Sequence, residues 1–123
     1  MNRVLIVDDQ PAFRAHLCQL LTSAGLTVVG EAGDIAEAEA LAQAMQPNLA
    51  VVDVMLPGIN GLEGTPRLKA LLPLLRVILI SAYADPACAL RLAAQEAGAE
   101  TFVSKDDLEL SLVQTWKTDP AMR

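Results

Sequence analysis

Five short apolar runs alternate with five longer, helix-like segments, and this alternation restricts the possible folds more than any other feature of the chain. The runs are rich in Val, Ile and Leu and do not alternate apolar with polar residues, which is typical of strands covered on both faces. Repeated strand–helix units favour a parallel sheet with helices on both sides. The predicted strands are Val4–Val7, Thr27–Val29, Leu49–Val52, Val77–Ile80 and Thr101–Val103.

We therefore predict a doubly wound α/β fold, with five helices around a sheet for which the flavodoxin-like order 2-1-3-4-5 is one common solution. Gly25 is placed to end the first helix, and Asp34 and Asp106 are placed to cap the second and the last. Pro66 predicts a late start or an irregular first turn for the third helix. Apolar stripes at helical spacing are Phe13, Leu17, Leu20, Leu21, Ala24; Ile35, Ala38, Leu41, Ala42, Met45; and Leu108, Leu112, Val113, Trp116.

The bulk composition suits one domain with one core, which we assign to residues 1–123. A net charge of −6 argues against direct nucleic-acid binding. The apolar runs are far too short to span a membrane, and the chain begins without the features of a signal peptide. Cys18 and Cys88 are too few for a disulfide framework, which favours free thiols in the reducing cytoplasm.

Polar residues follow four of the predicted strands at their carboxyl ends, where open α/β sheets bind ligands. Strands 1 and 3 are neighbours in the predicted order, so we expect three carboxylates, a hydroxyl and an ammonium group in one pocket. The polar residues that follow the strands are Asp8 and Asp9 after strand 1, Asp53 after strand 3, Ser81 after strand 4, and Ser104 and Lys105 after strand 5, and the hydroxyl of the predicted site is that of Ser81.

Three carboxylates facing one ammonium group leave excess negative charge at short range, which a hard divalent cation relieves. We predict Mg²⁺ held by Asp8 and Asp9 with Asp53 shared, leaving Asp53 free to attack a phosphoryl group. Taken singly, Asp8 and Asp9 also suit a helix cap, Asp53 a turn and Lys105 a solvated charge. Their placement at one edge of one sheet favours the joint site.

Four segments that carry these residues resemble the response-regulator receiver family, over nearly the whole chain. The family resemblance implies that Asp53 accepts a phosphoryl group from a histidine kinase or phosphotransfer protein, with Asp8, Asp9 and the backbone carbonyl of Met55 at the metal. The segments are VLIVDDQ (4–10), LAVVDVMLPGINGLE (49–63), VILISAYAD (77–85) and AGAETFVSKDDL (97–108).

The resemblance also implies roles for the remaining site residues. Ser81 and Lys105 would contact the phosphoryl oxygens, and Ser81 and Phe102 would be switch residues, with Phe102 moving inward on phosphorylation. The segments GINGLE, LISAYAD and VSKDDL look most like those of receivers in LuxR-type transcription factors. Those proteins usually carry a C-terminal DNA-binding domain. Many receivers have Pro where this chain has Asp106, which leaves the peptide geometry after Lys105 open.

Two further expectations concern output and lifetime. The segment Pro86–Ala94 has one charged residue, Arg91, and so predicts a helix that is apolar all round and forms an output or homodimer surface with strand 5 and the last helix. Met55 and Tyr83 follow Asp53 and Ser81 by two residues each. A thioether cannot orient a water for attack, so we predict slow self-dephosphorylation.

Three other functions share parts of this pattern. A flavodoxin-like cofactor-binding module would have the same topology, but it needs a phosphate cradle where this chain has Asp8 and Asp9. A pseudo-receiver would act as an interaction module without phosphorylation. An aspartyl phosphatase would need a substrate pocket for which short loops leave little room. The sequence therefore predicts a phosphorylated switch rather than an enzyme acting on other molecules.

Overall fold

The computed structural model describes residues 2–82 and 89–118. Its five strands form one parallel sheet in the order β2-β1-β3-β4-β5, which confirms the predicted topology. The strands are β1 Arg3–Val7, β2 Thr27–Ala32, β3 Leu49–Asp53, β4 Arg76–Ser81 and β5 Thr101–Ser104. The helices are α1 Pro11–Ser23, α2 Ile35–Met45, α3 Gly61–Leu71, α4 Ala89–Ala97 and α5 Leu110–Gln114, with 3₁₀ turns at Lys105–Asp107 and Thr115–Lys117.

The sheet is covered on both faces, which explains the unbroken apolar runs. Successive residues of the central strands point to opposite sides, so each strand supplies both halves of the core. One half packs residues such as Leu5 and Val52 against α2, α3 and α4. The other packs residues such as Ile6 and Val51 against α1, α5 and Trp116. Among the described residues, none of the helices combines the length and apolarity needed to cross a membrane.

Two of the predicted helix boundaries are confirmed. The Asp34 carboxylate accepts a hydrogen bond from the Glu37 N–H at 2.8 Å and so caps α2. Gly25 follows the end of α1 with a φ of +91°, a conformation that favours glycine.

The third helix departs from the prediction because its cap lies upstream of the proline. The Asn60 carboxamide oxygen accepts a hydrogen bond from the Glu63 N–H at 2.8 Å, and α3 therefore begins at Gly61. Pro66 lies inside the helix, and the Thr65 hydroxyl donates to the Gly61 carbonyl at 2.7 Å. The expected late start is wrong.

The cap expected at Asp106 is also wrong. The Ser104 hydroxyl oxygen accepts from the Asp106 N–H at 3.3 Å, so Asp106 lies inside a 3₁₀ turn that precedes the last helix. Leu108 then adopts an extended conformation, and α5 begins only at Leu110. A serine at the end of β5 thus caps a short turn where the sequence suggested a single longer helix. No cis peptide bond occurs among residues 2–82 and 89–118.

The fourth helix is amphipathic over its described length, Ala89–Ala97, and the expectation for Pro86–Ala94 falls partly outside the described residues. Residues 83–88 lie outside the described residues, and α4 continues to Ala97. This extension adds exposed Gln95 and Glu96 to exposed Arg91, while Ala94 is buried. Leu92 is the large apolar side chain that α4 leaves exposed among its described residues.

Gly61 is packed against the strand that carries Asp53. A Cβ at Gly61 would overlap the Asp53 carbonyl oxygen and lie 3.0 Å from the Asp53 carbonyl carbon. We predict that Gly61→Ala destabilises the protein by roughly 1–3 kcal/mol, as overpacked sites usually do. The matched control is Gly33→Ala, whose nearest contact would be an ordinary 3.6 Å to Arg14. Denaturant unfolding followed by the fluorescence of Trp116 measures both, and equal stabilities would contradict the packing described.

Candidate functional site

The carboxyl edge of the sheet brings together the side chains that the sequence placed there. Asp8, Asp53 and Ser81 are 0%, 4% and 1% exposed, whereas Asp9 is exposed to solvent. One carboxylate oxygen from each of Asp8, Asp9 and Asp53 lies within 4.8 Å of the others. This convergence follows from topology, since β1 and β3 are hydrogen-bonded neighbours and their last residues share one edge.

Lys105 links the two buried carboxylates. Its Nζ lies 2.7 Å from Asp8 Oδ2 and 3.1 Å from Asp53 Oδ2, and its side chain is 9% exposed. Lys105 begins the 3₁₀ turn after β5, so its long side chain reaches across β4 to the ends of β1 and β3. One ammonium group is therefore shared between two acids.

Backbone hydrogen bonds fix the second oxygen of each buried carboxylate. Asp53 Oδ1 accepts from the Met55 N–H at 3.0 Å, and Asp8 Oδ1 accepts from the Gln10 N–H at 2.8 Å. The Asp8 carbonyl accepts from Arg14 Nη1 at 2.6 Å, and the guanidinium also lies 3.5 Å from a Glu31 carboxylate oxygen. Hydrogen bonds from the backbone thus fix the orientation of both carboxylates.

Asp8 Oδ2 provides a test of whether a cation suits this site. The oxygen is fully buried and close to Lys105, yet it accepts no hydrogen bond of good geometry. A buried carboxylate oxygen with lone pairs to spare is costly unless it is paired. Hard divalent cations prefer carboxylate oxygens, and one oxygen of each of Asp8, Asp9 and Asp53 belongs to the same cluster. The donor set fits Mg²⁺.

The pKa shifts show which charge the pocket favours. Burial raises the pKa of the Asp53 carboxyl above its usual value, since the Met55 N–H and Lys105 only partly offset the cost and Asp8 adds to it. Burial would lower the pKa of Lys105, but the close carboxylates of Asp8 and Asp53 outweigh it and raise the pKa. The ammonium form of Lys105 is therefore favoured, while burial disfavours the ionised form of Asp53.

The remaining predicted residues surround this group. Ser81 ends β4 beside Ser104 of β5, so its position at the same edge is as predicted. The Met55 side chain is 57% exposed at the start of the following loop. The metal role of the Met55 carbonyl stays a prediction, and Tyr83 lies outside the described residues.

Phe102 is already turned into the core. It is 5% exposed and packs in the cluster that also contains Leu79 and Ala94. The Arg91 guanidinium lies 5.7 Å from the centre of the ring, and its Nη1 donates to the Phe102 carbonyl at 3.4 Å. The inward position expected only after phosphorylation is thus the one in this structure.

Two residues at the site were missed by sequence reasoning. The Phe13 ring, assigned to a core stripe, lies with its centre 4.1 Å from Lys105 Nζ. Arg14, the next residue, holds the Asp8 carbonyl. Both side chains lie on α1 near its start, and the signal available in the sequence was their closeness to Asp8 and Asp9.

Comparisons with known proteins agree with this geometry. Residues 4–116 match the family model described as the response regulator receiver domain. The DNA-binding transcriptional activator DevR/DosR of Mycobacterium tuberculosis is 39% identical over 118 residues, which are 95% of this chain and 54% of that protein. The chain spans about half the length of the first curated relatives it matches.

Two solved structures extend the likeness. A LuxR-family two-component response regulator from Aurantimonas sp. SI85-9A1 has a TM-score of 0.85 at 33% identity, covering 94% of this chain and 81% of that one. A response regulator from Burkholderia pseudomallei, solved with a phosphorylated aspartic acid, calcium ion and citrate, has a TM-score of 0.80 at 26% identity, covering 92% and 64%. The chain therefore belongs to the response regulator receiver domain family, with relatives of the LuxR type.

Proposed function

We propose that this receiver domain takes a phosphoryl group from a histidine kinase or phosphotransfer protein onto Asp53, in a Mg²⁺-dependent reaction. The observation that carries the proposal is the Asp53 carboxylate, held between the Met55 N–H and Lys105 Nζ beside two further carboxylates. An Asp53 oxygen attacks the phosphorus, the bond from phosphorus to the donor breaks, and Lys105 transfers its hydrogen bond to a phosphoryl oxygen.

The metal site comprises Asp8, Asp9, Asp53 and the Met55 carbonyl. A Mg²⁺ ion held there would supply positive charge near the phosphoryl oxygens, which would lower the repulsion between the phosphodonor and the acidic pocket. Asp8 is fully buried and would be a fixed metal ligand, whereas Asp9 is exposed and would be the ligand nearest to solvent. The chain acts as a phosphoacceptor whose catalysis is limited to its own phosphorylation and slow dephosphorylation.

The proposed output surface consists of α4, β5 and α5. Ser81 and Phe102 are the switch residues, and phosphorylation draws Ser81 toward the phosphoryl group and stabilises the buried Phe102 packing over alternatives in which the ring is outside. Arg91 covers Phe102 from α4, so a change at the ring alters α4 directly. The surface would bind an output partner or a second copy of the chain.

Lifetime and cellular context complete the proposal. Met55, exposed beside Asp53, and Tyr83 are the proposed lifetime-tuning positions, giving slow loss of the phosphoryl group.

Residues 1–123 form one receiver unit, which makes no direct contact with nucleic acid or membrane and works in the cytoplasm. The relatives named as transcription factors support a role in transcription regulation.

The first test concerns the acceptor. With Mg²⁺ and acetyl phosphate, the intact mass should rise by one phosphoryl group, because Asp53 is held ready for attack. Asp53→Asn should abolish the gain, whereas the control Asp106→Asn, at an exposed carboxylate in the nearby 3₁₀ turn, should keep it. A wild-type chain that gains no mass would favour the pseudo-receiver, and full phosphorylation of Asp53→Asn would show that the acceptor lies elsewhere.

The second test concerns the metal. Mg²⁺ should raise the melting temperature of the wild-type protein, since a ligand that binds the native state stabilises it. Asp9→Ala should weaken the apparent Mg²⁺ affinity at least about tenfold, the lower end of what disturbing a metal site costs. Asp107→Ala removes an exposed carboxylate outside the cluster and should leave the affinity unchanged. Equal affinities in the two variants would refute the assignment of Asp9.

The third test concerns the cost of the buried carboxylate. The raised pKa of Asp53 means that the metal-free folded state takes up a proton at this carboxyl before the unfolded state does as pH falls. The contribution of Asp53 to the free energy of unfolding of the wild type is therefore lowest at pH values above the pKa that this carboxyl has in the folded state. We predict that Asp53→Asn is more stable than wild type at pH 7 in EDTA, and that this advantage shrinks toward pH 4. Urea unfolding across this pH range measures the difference in stability between the two proteins. If the advantage of Asp53→Asn grows on acidification, the pKa of Asp53 is not raised in the folded state.

A further inference from the structure

The ammonium group of Lys105 has an aromatic neighbour as well as two acidic ones. The centre of the Phe13 ring lies 4.1 Å from Nζ, well inside the distance of about 6 Å at which a ring face attracts a cation. The same Nζ contacts Asp8 Oδ2 and Asp53 Oδ2. With its side chain 9% exposed, Lys105 is largely shielded from water, a setting that strengthens such an attraction.

Phe13 is itself fixed in position. It lies on α1, packed against the hydrophobic cluster of that face, and its ring is 6.2 Å from the His16 ring at an angle of 56°. The next residue, Arg14, ties α1 to the Asp8 carbonyl. Helix α1 therefore carries both the ring that contacts the ammonium and the guanidinium that holds the loop at Asp8.

The two kinds of neighbour have different consequences for Lys105. A carboxylate oxygen accepts one of the ammonium protons in a directed hydrogen bond, whereas a ring face attracts the charge without a fixed direction. Nζ can therefore turn from Asp53 Oδ2 toward an incoming phosphoryl oxygen and keep the contact with the ring. Without the ring, the same movement would need water to enter beside the charge.

We propose that Phe13 is a positioning residue that holds the Lys105 ammonium at the site while its hydrogen bond passes from Asp53 to the phosphoryl group. The inference rests on the proposed function, because Lys105 has a phosphoryl oxygen to contact only if Asp53 is the acceptor. The required feature is an aromatic face at residue 13, and apolar volume alone does not supply it.

The test compares aromatic with aliphatic side chains at residue 13. Phosphorylation rates with acetyl phosphate at saturating Mg²⁺ should fall roughly 2- to 30-fold in Phe13→Leu and Phe13→Met, the range that such a contact implies. Phe13→Tyr keeps the ring face and should stay within about twofold of wild type. Two aliphatic variants are used so that a folding defect in one does not decide the result, and Trp116 fluorescence reports folding.

Two controls separate positioning from general packing. Leu20→Ala removes a partly buried side chain from the same helix and core cluster and should leave the rate unchanged. In a Lys105→Met background, Phe13→Leu should have no further effect, because the ring acts through the ammonium.

The outcomes distinguish this inference from the function it rests on. A wild-type chain that gains no phosphoryl group overturns the proposed function itself. If wild type is phosphorylated and the aliphatic variants match it, or if Phe13→Tyr falls as far as they do, the positioning role is overturned. An undiminished effect of Phe13→Leu in the Lys105→Met background overturns it as well.

Discussion

The ion pairing of Lys105 with Asp8 and Asp53 is the interaction on which the carboxyl edge of the sheet depends. Parallel pairing of β1 with β3 makes the two acids neighbours, and the core beneath leaves both almost without solvent. Two like charges in such a place are unfavourable unless a cation lies between them. The Lys105 side chain reaches them from β5, so three strands converge on one charge.

The three carboxylates have different surroundings and therefore different uses. Asp8 is fully buried and held by Gln10 and Lys105, which suits a fixed ligand. Asp9 is exposed, which suits a metal ligand at the side of the site that faces solvent. Asp53 is fixed in orientation by the Met55 N–H and Lys105, and burial raises its pKa in spite of both. A carboxylate held in one orientation at the pocket suits a nucleophile.

The pattern of apolar and polar residues predicted the strands and the residues at their ends. It did not predict which side chains cap the helices, or which residues far apart in the chain are in contact. Unbroken apolar runs fixed the sheet, and strand ends placed Asp8, Asp53 and Lys105 together. Asn60 and Ser104 altered helix starts because their side chains capped turns more effectively than the expected signals.

The inward position of Phe102 was missed because side-chain rotamers follow from packing. The Phe13 contact with Lys105 was missed because it joins residues at opposite ends of the chain.

Mapping the phosphoryl group along the chain tests the central claim most directly. The protein would be phosphorylated with acetyl phosphate and Mg²⁺, the acyl phosphate reduced with borohydride, and the peptides analysed by mass spectrometry. We expect modification at Asp53 and unmodified Asp8 and Asp9, because the Met55 N–H and Lys105 fix the Asp53 carboxylate in the pocket while Asp8 and Asp9 are assigned to the metal. Modification spread over Asp8 or Asp9, or equal modification without Mg²⁺, would contradict it.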